Sequence, residues 1–144
     1  MIQHVLLAAA LAGTSLSAAA ADWYRVGETD DTRSYIDLAS IVQDGQWTRA
    51  EEWAEYVPVA SSTGVKRVRT ILETDCAARQ IRIAHFTAIN EDGSIAVELD
   101  MPEQGRLHPA VSGSLFGDVA DFVCGTDRSR AVRVSDPMTD PLPE

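Results

Sequence analysis

The sequence predicts an α+β fold: a small antiparallel β-sheet of about five to six strands in a meander, covered by a C-terminal helix and stapled by a disulfide. Three observations predict it. Residues from Lys66 to Leu99 alternate in polarity with a period of two. One later stretch, "SGSLFGDVADFVCG", repeats with a helical period. The chain also carries two cysteines, Cys76 and Cys124, behind an export-type leader.

The leader comes first. "MIQHVLLAAALAGTSLSAAAADWY" holds an apolar run from Val5 to Leu11 and then small residues, the layout of a secretory signal peptide. Ala19, Ala20 and Ala21 supply the small positions before the cut, so residues 1–21 are expected to be removed and Asp22 to begin the mature chain. A membrane span needs about 20 continuous apolar residues, and Thr14, Ser15 and Ser17 interrupt this run. No cysteine stands at the cleavage region to carry a lipid anchor. The expectation is an exported protein, periplasmic or extracellular, with one domain over residues 22–125 and a mobile Pro-rich tail over residues 126–144. The formal net charge of −10 and pI near 4.6 argue against nucleic acid and anionic lipid as partners, because phosphate would be repelled.

"WYRV" and "RSYID" are short strand candidates joined by a loop from Gly27 to Thr32. Asp44-Gly45 is a hairpin signal opening a long strand from about Gln46 to Val57. Between Lys66 and Cys76 the even positions Val68, Thr70, Leu72 and Thr74 are the less polar set, so Cys76 is expected to face inward with them. A tight turn through Ala77-Ala78 follows. In the next strand Ile81, Ile83, His85, Thr87 and Ile89 are expected on one face. "NEDG" then turns the chain into a strand carrying Ile95, Val97 and Leu99.

The apolar face of this meander needs a cover. Leu115, Val119, Phe122 and Val123 recur at helical spacing, with Ser112 or Ser114 as cap and Gly125 as stop. A helix this short is marginal alone, so it is expected to dock on the sheet. Cys76 faces inward from a strand end and Cys124 lies in the last helical turn. In an exported chain with an even cysteine count, pairing is the default reading. Closing a loop over the 47 intervening residues constrains the unfolded chain by roughly 4 kcal/mol. A nucleophilic or redox cysteine needs an activating neighbour or a C-x-x-C pair, and the sequence has neither.

With those residues in place the chain resembles the surface-adhesin protein E-like family of bacterial exported domains, over roughly Trp23 to Cys124. The resemblance is carried by Trp23 with Val26, Tyr35-Ile36-Asp37, Ser40-Ile41, Gly45, Trp53, Asp75-Cys76, Arg79, Arg82, Pro109, a serine-led helix and Cys124. It implies a small antiparallel sheet under a C-terminal helix with the two cysteines bridged. It also implies an adhesive or protein-binding role at the bacterial envelope.

Chemistry is sparse. His85 on an apolar strand face is expected as a half-buried core histidine bonded to backbone. With His108 and a carboxylate it could form a zinc set, but no i,i+4 or C-x₂-C spacing supports that. The serines of "SGS" are expected as caps, and no nucleophile–base pair is visible. No catalytic residue, cofactor or metal is therefore assigned. The stretch "QWTRAEEWAEY" interleaves aromatics with charge, which suits protein contact, so Trp47, Trp53 and Tyr56 are the candidate contact residues. The expected function is that of a non-catalytic binding or envelope-accessory domain with a protein partner, and an exposed strand edge offers a route to a homodimer. The alternatives are a small periplasmic enzyme with a loop-built site and a structural envelope subunit.

Overall fold

Alternation and turn chemistry order the strands. The computed structural model describes residues 19–56, 63–101 and 105–140. The expected signal peptide before Ala19, the strand end at Val57 and residues 141–144 lie outside the described residues. The elements run β1 (Trp23–Glu28), β2 (Thr32–Asp37), a single 3₁₀ turn (Leu38–Ser40), β3 (Val42–Asp44), β4 (Trp47–Tyr56), β5 (Val65–Asp75), β6 (Gln80–Asn90), β7 (Ile95–Asp100), β8 (His108–Pro109), α1 (Leu115–Cys124) and β9 (Val132–Arg133). They form one antiparallel sheet in the order β7-β6-β5-β4-β2-β1-β9, with β3 paired to β4 and β8 to β6. Among the described residues the sheet has nine strands, not five or six. The additional ones, β3, β8 and β9, are two or three residues long. Such segments are too short to display a period.

Local chemistry explains the connections. Gly45 takes φ 61° in the two-residue loop that pairs Asp44 with Trp47. After β5, the Asp75 carboxylate accepts the Ala78 N–H at 2.8 Å, and Arg79 adopts the left-handed φ of 52°. A side chain there costs energy unless it is held. Arg79 donates to Asp121 on α1 at 2.9 Å and to the Ala110 carbonyl at 3.3 Å, so one turn residue fastens helix and loop to the sheet end.

The core lies between one sheet face and α1. Val26, Ile36, Ala50, Leu72 and Ile81 meet Val119, Ala120, Phe122 and Val123. Ser114 caps the helix by accepting the Gly117 N–H at 3.1 Å, and Gly125 ends it in the left-handed region. Cys76, expected to face inward, is exposed just past the end of β5 and is disulfide-bonded to the half-buried Cys124 at the edge of this layer, with Cα atoms 5.8 Å apart.

One phase expectation fails. Ile71 pairs with His85 but Leu72 with Ile83, so Ala84 is an extra residue in β6. This bulge flips the alternation. Ile81 and Ile83 face the helix, and beyond the bulge Phe86 and Ala88 take that side through their partners Thr70 and Val68. His85 and Thr87 are thereby turned to the opposite face.

The chain beyond the helix, expected to be a mobile tail, is laid back over the sheet as far as Asp140. β9 pairs with β1 through Tyr24 with Arg133 and Arg25 with Val132, and the Val134 N–H donates to the Trp23 carbonyl at 2.9 Å. Pro137 is buried.

Candidate protein-contact surface

The face opposite α1 carries the odd residues of β4. Trp47, Arg49, Glu51, Trp53 and Glu55 share it, because their even neighbours Ala50 and Ala54 pair with Leu72 and Val68 on the helix side. Trp47 and Trp53 therefore stand on one face, as their spacing of six predicts. Tyr56 does not join them. It is one step out of phase, on the side of Glu52, and burial followed by the negative charges of Glu52 and Asp31 raises its phenol above the ordinary value of 10.0.

Each indole is tied into a lattice of charge. The Arg82 guanidinium lies 4.1 Å from the centroid of the Trp47 ring, a cation–π distance, and donates to Glu73 at 2.7 Å. Glu73 also faces Arg49 at 3.5 Å. At the other end the Glu51 carboxylate accepts from Arg69 at 2.7 Å and from the Trp53 indole N–H at 3.3 Å. Trp53 meets Trp23 edge-on with centroids 6.2 Å apart. Both indoles of β4 are half-buried, so each keeps part of its surface in water. Beside this lattice, Val42, Arg49, Glu51 and Ile71 line a depression of about 520 Å³ between β3 and β5.

A second cluster on this face has no motif in the sequence. Arg25 and the Tyr35 hydroxyl each donate to Asp140 at 2.9 Å, and the Arg33 guanidinium lies 3.7 Å from the same oxygen. Tyr35 is fully buried and Arg33 nearly so. Burial first, and then its bond to Asp140, pushes the Tyr35 phenol up to about 12. Only the phase of "RSYID" hinted at the site, since it turns Arg33 and Tyr35 to one side of β2. Asp140, more than 100 residues away, could not have been linked to them from spacing.

His85 is not a backbone-bonded core residue: its Nδ1 is 2.7 Å from Asp100 and its Nε2 3.2 Å from Glu98, both on β7. The hydrogen bond to Asp100 raises its pKa above 6.5. His108 lies against the Phe116 ring, with centroids 5.3 Å apart. Among the described residues no group of three or more His, Cys, Asp or Glu side chains is arranged to hold a metal. On the helix side, the buried Glu52 carboxylate accepts from Ser34 at 2.5 Å and from Thr70 at 2.8 Å. Burial raises its pKa, and the two hydroxyl donors offset part of that effect.

A family model for surface-adhesin protein E matches residues 23–125. The chain belongs to the surface-adhesin protein E family. No curated protein and no solved structure matches it. The matched segment runs from β1 to the glycine that ends α1, so β9 and Asp140 lie outside it. No helix among the described residues is long and apolar enough to cross a membrane.

Proposed function

We propose that this protein is an exported, non-catalytic binding domain that engages a protein partner through the sheet face bearing Trp47 and Trp53. The observation that carries the reading is the Trp23–Trp53 pair. Two large aromatic rings stand half-buried on the face away from the core, beside the Glu51–Arg69 ion pair. Trp and Arg are the residue types that dominate binding energy at protein interfaces. Family membership supports an adhesin-like role. The expected outcome is that Trp53→Ala weakens capture of the partner from envelope extract by about 1–2 kcal/mol while far-UV circular dichroism and the disulfide are unchanged. Wild-type capture by this variant, or a collapsed melting temperature without a capture defect, would leave the face without a binding role.

Export rests on the leader read from the sequence. Intact-mass measurement of the periplasmic or secreted protein should give a chain beginning at Asp22 or Ala21. A mature species retaining Met1 contradicts it.

A further inference from the structure

The cluster of Arg25, Arg33, Tyr35 and Asp140 has the construction of a ligand site that the chain fills by itself. Two guanidiniums and a phenol converge on one carboxylate oxygen. The receiving side belongs to β1 and β2, near one end of the sheet, where pairing of β1 with β2 and of β2 with β4 fixes Arg25, Arg33 and Tyr35. Arg33 has 4 % of its side chain exposed and Tyr35 none. Charge-assisted bonds made in such a dry setting are the strong ones. The Glu28 carboxylate also faces Arg33, at 3.5 Å, but is itself 53 % exposed.

The occupying side is built differently. Asp140 arrives on a segment that follows a two-residue strand and a turn over Pro137, Met138 and Thr139, closed by the Thr139 N–H donating to the Asp136 carbonyl at 3.1 Å. That segment is fixed by the short β1–β9 ladder, by the Val134 bond and by the solvent-exposed Arg133–Asp22 pair. Surface ion pairs of this kind contribute little. A buried cationic receptor is thus closed by a carboxylate on a separate segment, which also buries Pro137, and this occupant comes from outside the segment that matches the family.

We propose that Arg25, Arg33 and Tyr35 form a binding site for the carboxylate of an acidic peptide, and that Asp140 closes this site from within the chain. The site reads Asp140 in the sequence "SDPMTDPLPE", where each aspartate precedes a proline. Pro137 stands second in the turn that begins at Asp136, where the fixed φ of proline lowers the ordering cost of such a peptide. The acidic partner segment is therefore expected to resemble this strap. A tethered occupant acts at an effective concentration of order mM, so a peptide added at micromolar concentration meets a closed site in the wild-type chain. The proposal does not depend on what the tryptophan face binds.

The test uses the full chain and a synthetic peptide of residues 134–144, VSDPMTDPLPE. Asp140→Ala removes the occupying carboxylate, and Asp140→Arg expels the strap by like-charge repulsion against Arg25 and Arg33. Titration calorimetry should show at least one folded variant binding the peptide at least tenfold tighter than wild type does. A peptide carrying Asp140→Asn should lose that gain, as should the chain variant with Arg25→Gln added. Equal binding by wild type and both variants would overturn the proposal, as would no binding by folded variants. If both Asp140 variants fail to fold, Asp140 is a structural keystone and the site reading is overturned as well.

Discussion

At the scale of the residue, Glu52 departs most from ordinary protein chemistry. It is a carboxylate on the covered sheet face, with two hydroxyl donors from Ser34 and Thr70. Hydroxyls stabilise the anion less than a cation would, and desolvation is the larger effect, so the folded chain holds this proton more tightly than the unfolded one. The sign follows by linkage. Between the ordinary value of 4.5 and the raised one, the native state binds more protons than the unfolded state, so stability falls as pH rises through that window and then levels off. Glu52→Gln keeps the shape and removes the titration, and both hydroxyls can turn to accept from its amide. The variant should match wild type near pH 4 and exceed it at pH 8 in urea unfolding. A variant less stable than wild type at pH 8 would mean that the anion is solvated by something other than these hydroxyls.

At the scale of the element, the sequence was most legible where a period ran long. β5 and α1 hold 11 and 10 residues, and each follows its predicted alternation or helical repeat over most of its length, whereas β6, also of 11 residues, keeps the predicted phase only as far as Ile83. The failures share one cause, a local event that leaves no periodic trace. A single bulged Ala84 rotated His85 away from the core, and two-residue strands lie below any detectable repeat. The helix start shows a conflict of another kind. Alanine is favoured over glycine within a helix by about 1 kcal/mol, so Gly117→Ala looks stabilising from sequence. A Cβ at Gly117, however, would lie well inside van der Waals contact of the Val111 carbonyl oxygen and 2.9 Å from its carbon. Both are backbone atoms and cannot rotate away. The clash should win, and Gly117→Ala should lower stability by about 1–3 kcal/mol net in thermal or urea unfolding. A raised melting temperature would show that the Val111–Ser114 turn yields instead.

At the scale of the whole molecule, the residues that made the family legible are largely scaffold. The Asp37 carboxylate caps the 3₁₀ turn by accepting the Ala39 N–H, Ser40 bridges Asp37 to the Glu51 N–H, Asp75 shapes the β5–β6 turn, and Arg79 clamps α1. Such residues announce a fold without naming a partner, whereas the carboxylate site is completed by Asp140 from beyond the matched segment. The scaffold in turn hangs on one covalent link. A ten-residue helix is marginal alone in water, and a formal charge of −10 adds self-repulsion that opposes compaction. The Cys76–Cys124 bond holds the last helical turn to the end of β5, across 48 residues of sequence. Replacing both cysteines by serine should cost about 2–5 kcal/mol, as for other small secreted domains. Urea unfolding of this variant beside the oxidised wild type checks it, with thiol titration confirming that the native protein has no reactive group. Coincident midpoints would mean that the Arg79–Asp121 clamp and the apolar contacts of Val119, Phe122 and Val123 hold the helix without the staple.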